Sequence, residues 1–124
     1  MDARQPVVTS KFALAELLQQ RTGTRKPYLE FLRVPALSVG IYVLEAGATD
    51  TQSPHAQDEV YYVVSGKGRM MLAGADTPNT VEVKPGTIIF VAAGARHSFY
   101  NITERLEVLV FFAPAESDAM PPEV

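Results

Sequence analysis

Gly47–Gly66, GATDTQSPHAQDEVYYVVSG, is the stretch from which the fold is read. Alternate side chains of an extended strand share a face, so Ser53, His55, Gln57, Glu59, Tyr61 and Val63 point the same way as long as no bulge intervenes. Polar residues at the start of that face and apolar ones after it describe the mouth of a barrel above a packed interior. The second of the chain's two histidines, His97, stands in a similar setting, beyond the run TIIFV and the turn AAGAR. Two strand ends from different hairpins can therefore aim imidazoles at one point. If His55 and His97 converge with Glu59, they make a two-histidine, one-carboxylate set of metal ligands.

Outward from this stretch, short β-rich runs recur between Gly and Pro punctuation: YLEFLR, LSVGIYVL, EVYYVVSG, GRMML, TVEV, TIIFV, HSFYN and LEVLVFF. Their spacing of roughly 8 to 12 residues predicts an all-β antiparallel sandwich or barrel, and no βαβ alternation interrupts it. Ala73–Asn79 reads as a hairpin turn and Lys84, Pro85 and Gly86 as a second, with Pro and Gly in the order of a type II turn. Before the strands, Ser10 is placed to cap one short helix over KFALAELLQQR, with Phe12, Ala13, Leu17 and Leu18 on one face and Gly23 as the stop. The organisation is then an arm over residues 1–9, a single domain over 10–113 and a Pro-rich, acidic, mobile tail over 114–124. In Leu106–Phe112 one face carries Leu106, Val108, Val110 and Phe112, and the other still carries Leu109 and Phe111 beside Glu107. A strand with one face in water alternates more cleanly, so part of the outer surface is expected to be covered, most simply by a second copy in a homodimer.

Composition narrows the function. A net charge of −3, with Arg21, Arg25 and Lys26 as the one basic cluster and that cluster read as a solvated face, argues against a nucleic-acid partner. The absence of cysteine removes thiolate ligands and thiol nucleophiles, so any metal must take N and O donors. No apolar run reaches signal-peptide or membrane-span length, so no membrane partner is expected and a cytoplasmic setting is the default.

The motifs carry a resemblance. The first stretch resembles cupin motif 1, which runs Gly, five residues, His, one residue, His, three or four residues, Glu, six residues, Gly; Gly47, Ser53, His55, Glu59 and Gly66 fall on those positions, with Ser53 in place of the first His. The second is similar to cupin motif 2, which runs Gly, five residues, Pro, one residue, Gly, two residues, His, three residues, Asn; Gly86, Ala92, Gly94, His97 and Asn101 fall there, with Ala92 in place of the Pro. The resemblance covers residues 47–101 and implies a double-stranded β-helix, the jelly-roll barrel of small single-domain cupins, with a ligand cavity at one end. It also implies that His55, Glu59 and His97 hold one divalent ion per chain, Fe(II), zinc, manganese or nickel. Ser53 would leave its position open to water or substrate, and Gln57 and Gln52 would serve as weak oxygen donors or hydrogen-bond partners of the ligands.

The function implied is a metal-dependent enzyme acting on a small organic molecule, oxygenase-like or a Lewis-acid isomerase or lyase, with Tyr61 as acid or base. A non-catalytic module binding a small ligand is the alternative, and a metal-free structural dimer a third. In the metal-free case Glu59 would pair with Arg69 or Arg96 across a hairpin. Asn101 and the glycines at 47, 66, 86 and 94 are read as turn or strand-end residues.

Overall fold

The computed structural model describes residues 9–51, 54–73 and 79–117. Ser53 and Gln52, the centre of the expected Ala73–Asn79 turn, residues 1–8 of the arm and residues 118–124 lie outside the described residues. One helix, α1 (Leu14–Thr24), precedes six strands: β1 (Tyr28–Val34), β2 (Leu37–Leu44), β3 (Asp58–Leu72), β4 (Thr80–Val83), β5 (Ile88–Val91) and β6 (His97–Ala113). The strands pair antiparallel in the order β1-β2-β6-β3-β4, with β5 on the free edge of the first half of β3.

Eight expected runs become six strands because two apparent breaks are bends. EVYYVVSG and GRMML are one strand, β3, and HSFYN and LEVLVFF are one strand, β6. The two pair along their length, from Asp58 opposite Ala113 to Leu72 opposite His97, with register shifts between Val63 and Arg69. A bulge adds a residue to one strand, bends it and re-aims the side chains beyond it. In β3 the inward residues are Glu59, Tyr61 and Val63 before the bend and Gly66, Gly68 and Met70 after it. In β6 they are His97 and Phe99 before it and Ile102, Leu106, Val108, Val110 and Phe112 after it. The face read from the sequence therefore holds through Val63 and inverts there.

Two residues make the corner. Gly66 has φ of 99°, and a Cβ on it would overlap the carbonyl of Arg105 across the ladder and lie 2.6 Å from Leu106 Cα. Glycine alone tolerates both the backbone angle and the approach. Opposite, Asn101 has φ of 50°, a left-handed conformation that Asn accepts more readily than most side chains.

The barrel interior is one cluster in which Tyr61, Val63, Met70, Val83, Phe99, Leu106 and Val108 are among the buried residues. A smaller cluster lies outside the sheet, where Leu17 of α1 packs on Ile41 and Val43 of β2, with Leu14, Leu18, Leu29, Phe31 and Leu109 around them. Helix α1 thus supplies part of the cover that the apolar outer face of β6 calls for. The face continues uncovered along β5 and β3: Tyr62 stands opposite both Ile88 and Leu109, Val60 stands opposite Phe90 and Phe111, and Ile88 and Phe90 are 68% and 62% exposed.

The helix departs from its expected ends. It starts at Leu14 after an Ala13 cap that makes no side-chain bond, so Ser10 is not its N-cap. It runs through Gly23 and stops at Arg25, whose φ of 61° closes the turn with a bond from its N–H to the Thr22 carbonyl. Arg21 is buried and not on a solvated face; its Nη1 donates to the Lys26 carbonyl at 2.9 Å and ties the helix end to the start of β1.

Candidate functional site

The turn Ala92–Ala95 between β5 and β6 brings the two histidines to one end of the barrel. Ala95 N–H donates to the Ala92 carbonyl (3.0 Å), Gly94 N–H to the His55 carbonyl (2.7 Å) and Ala93 N–H to Asp58 Oδ1 (2.9 Å). The segment before β3 is so fastened to the turn before β6. Glu59 and Tyr61, two residues apart on the inward face of β3, lie between them.

Glu59 is 1% exposed, and among the described residues neither of its oxygens receives a well-formed hydrogen bond. His97 Nε2 lies 3.3 Å from Glu59 Oε1, an ion-pair distance without hydrogen-bond alignment, because the same nitrogen faces the Tyr61 hydroxyl at 2.9 Å. His97 Nδ1 lies 3.0 Å from the Ala95 carbonyl. A carbonyl only accepts, so Nδ1 carries the proton, and in the neutral ring Nε2 keeps its lone pair and accepts from Tyr61. Burial alone would lower the His97 pKa; contact with Glu59, the Ala95 carbonyl and the charges of Glu59 and Asp50 more than offset it, leaving it above the ordinary histidine value.

His55 is held differently. Its Nε2 lies 2.8 Å from Glu116 Oε2, and its Nδ1, buried and without a hydrogen-bond partner among the described residues, lies 3.9 Å from Glu59 Oε1. Its ring rests on Phe112, centroids 4.8 Å apart. Glu116 reaches this point because residues 114–117, the first of the expected tail, run back along the barrel mouth: Ala115 N–H donates to the Pro35 carbonyl (3.1 Å), Glu116 N–H to Ser38 Oγ (2.8 Å) and Arg33 Nη2 to the Glu116 carbonyl (2.5 Å). Gln57 Nε2 donates to Ser117 Oγ at 2.7 Å, which turns this glutamine to the same segment. Ser53 lies outside the described residues. Arg69 turns away from Glu59, towards the Tyr100 hydroxyl and Thr80 Oγ1.

A cavity of about 130 Å³ opens beside these groups, lined by Tyr28, Tyr42, His55, Val110, Phe112 and Glu116. The Tyr28 ring occupies the space above Gly40, where a Cβ would overlap it, and its hydroxyl is buried without a partner among the described residues. Burial, then the charges of Glu116, Glu30 and Glu59, push its pKa far above the usual tyrosine value, with Arg33 opposing. Tyr42 is raised likewise by burial and by its bond to Asp50 Oδ1 at 2.7 Å. Asp50 also accepts from Phe99 N–H through Oδ2 at 2.8 Å, so it fixes the approach to β3 against β6. Two wider surface depressions, one bordered by Lys67, Arg69 and Lys84 and the other by Phe90 and Ala92–Arg96, contain none of these groups.

Sequence reasoning missed Tyr28, Asp50 and Glu116. Asp50 and Tyr28 carry no signal beyond lying at a variable position of the first motif and on a strand, and Glu116 lies in a segment whose composition reads as solvated. Among the described residues, no group of three or more His, Asp or Glu side chains stands close enough together to hold a metal ion as placed.

Residues 40–112 match the family model of the cupin domain. The chain is 47% identical over 106 residues to an uncharacterised protein of Streptomyces coelicolor, covering 86% of this chain and 97% of that one. Among solved structures, it superposes with a TM-score of 0.63 on a cupin 2 conserved barrel domain protein from Rhodopseudomonas palustris, at 17% identity, covering 78% of this chain and 66% of that one. It superposes with a TM-score of 0.59 on the DMSP lyase of Ruegeria pomeroyi DSS-3, at 20% identity, covering 73% of this chain and 43% of the lyase, so it spans less than half of that protein.

Proposed function

Because the chain belongs to the cupin family, we propose that it is a small metal-dependent enzyme: His55, Glu59 and His97 hold one divalent ion, and a small organic molecule is bound beside it in the cavity at the barrel mouth. One observation carries this reading. A carboxylate buried to 1% exposure with neither oxygen hydrogen-bonded among the described residues is costly, and two imidazole nitrogens, His97 Nε2 and His55 Nδ1, lie within 3.3 and 3.9 Å of one of its oxygens. Donors sharing one ion at bonds of roughly 2.0–2.1 Å stand about 3.0–3.4 Å apart, so a small inward movement of His55 suffices. The N and O donors suit iron, zinc, manganese or nickel.

When bound, the ion supplies polarisation of a ligand carbonyl or carboxylate, or activation of O₂. The chain's own residues do the rest. Tyr28 and Tyr42 keep their phenols protonated and line the cavity with their rings, Val110 and Phe112 exclude water, and Tyr61 is the acid or base that this reading assigns. The lyase likeness supports small-molecule chemistry only as an analogy of fold. The uncovered Tyr62, Ile88 and Phe90 support a homodimer closed over the outer face of β5 and β3.

The test is thermal unfolding and calorimetric titration of metal-free protein with Zn(II), Fe(II), Mn(II) and Ni(II). Uptake near one ion per chain with a raised Tm is expected in the wild type and lost in Glu59→Gln. Turnover of small chelating acids or β-dicarbonyls, with an oxygen electrode running, then separates oxygenase from Lewis-acid chemistry. Ligand binding without turnover for any metal would leave a binding module instead. Light scattering that gives a monomer mass at micromolar concentration would reject the dimer.

A further inference from the structure

We infer that Glu116 is a positioning residue that fixes the tautomer of His55 and thereby chooses which of its nitrogens is offered to an ion. The inference rests on the metal reading and names a feature of the site that neither cupin motif contains, since Glu116 lies beyond both.

An ionised carboxylate can only accept, so the 2.8 Å contact from His55 Nε2 to Glu116 Oε2 places the ring proton on Nε2. The neutral ring then has its lone pair on Nδ1, the buried atom that has no hydrogen-bond partner among the described residues and faces Glu59. At His97 the Ala95 carbonyl performs the same task from the opposite nitrogen, leaving the lone pair on Nε2, where Tyr61 donates to it until an ion takes its place. The two rings are thus poised through different atoms, Nδ1 and Nε2, and each is backed by an acceptor on its far side. A carboxylate behind a ligating imidazole fixes its orientation and raises its basicity.

The backbone bonds of residues 115 and 116 to Pro35, Ser38 and Arg33 hold the backbone of Glu116 within side-chain reach of His55. The side chain of Glu116 keeps 22% of its surface exposed, against 11% for His55. It approaches from the solvent side of the ring, and Glu59 from the barrel side.

The chain has two histidines, so long-range proton–nitrogen correlation of the imidazole rings gives two readable patterns. For the full-length, metal-free protein at mildly alkaline pH, the expected result is an Nε2–H tautomer for His55 and an Nδ1–H tautomer for His97. Glu116→Ala should collapse the His55 pattern into a tautomer mixture and leave His97 unchanged. Glu116→Gln, whose amide oxygen still accepts, should restore it. Zn(II) affinity should fall about 10- to 100-fold in Glu116→Ala, with partial recovery in Glu116→Gln. An Nδ1–H tautomer for His55 in the wild type, or a His55 pattern unmoved by Glu116→Ala, would overturn the inference. The expected tautomers in a wild type that binds no ion would defeat the metal reading and, with it, the assignment of Nδ1 as a ligand, while the control of His55 by Glu116 would stand. A zinc affinity unchanged in Glu116→Ala would likewise overturn the role towards the ion.

Discussion

His97 is held by the strands it belongs to: its backbone opens β6, its Nδ1 is bound by the Ala95 carbonyl two residues back, and its Nε2 meets Tyr61 on the neighbouring β3. His55 precedes β3; its ring rests on Phe112 of β6, but its hydrogen bonds are made outside the strands, from the Gly94 N–H to its carbonyl and from its ring to Glu116. One half of the site is therefore a property of the barrel, and the other is a property of a segment laid across it. Damage to the barrel should remove both histidines from register, whereas damage to the segment should release His55 alone.

The largest effect is expected at the corner. Gly66→Ala forces a side chain into a positive-φ position against the Arg105 carbonyl, so it should cost about 3 kcal/mol or more, read as a fall in Tm or as insoluble protein. Near wild-type stability would mean that β3 bends elsewhere. Tyr61→Phe keeps the ring against Phe99 and removes the hydroxyl from His97 Nε2. A loss of about 1 kcal/mol in chemical denaturation is expected, with the His97 ring signals moved and those of His55 unmoved. Ser38→Ala withdraws the acceptor of Glu116 N–H on the other side of the comparison. Its cost should be roughly 0.5–1 kcal/mol, with the shift confined to His55; a shift at His97 would erase the distinction between the two halves.

The smallest effect is one of pH. Tyr28 and Tyr42 have pKa values raised by burial, so the folded state keeps protons that the unfolded chain releases near pH 10. Stability contributed by these phenols is present below that pH and declines as pH rises past it. Absorbance of phenolate should show both residues ionising only with unfolding, and a smooth titration of all five tyrosines near pH 10 would contradict the burial of Tyr28 and Tyr42.

Strand alternation was legible because burial follows the pleat: Gln57, Glu59, Tyr61 and Val63 are all buried, as their spacing requires. The convergence of His55, Glu59 and His97 at one barrel end followed from the same period and the two motifs. The continuity of β3 was not legible, since Gly66, Lys67 and Gly68 look like a turn when the partner strand that they bend against is unknown. The helix start was misplaced because Ser10 offers a capping oxygen but the chain enters at Ala13 without one. Glu116 was hidden for a different reason. Its place is set by Ser38, Arg33 and Pro35 far away in the chain, and the composition of PAESDAMPPEV gives no sign of them.

The β3–β6 ladder also has a consequence for how the chain reaches this structure. Leu72 and His97, paired at one end, are separated by less than half the length of chain that separates Asp58 and Ala113 at the other. Closing the shorter loop costs less entropy, so pairing is expected to nucleate at the Leu72–His97 end and zip towards Asp58 and Ala113. On that route His97 is in place early, and Glu116, following the last residue of β6, can reach His55 only when the zipper is complete. The order of assembly would thus leave the His55 ring without its Glu116 partner in any chain whose β3–β6 ladder is incomplete.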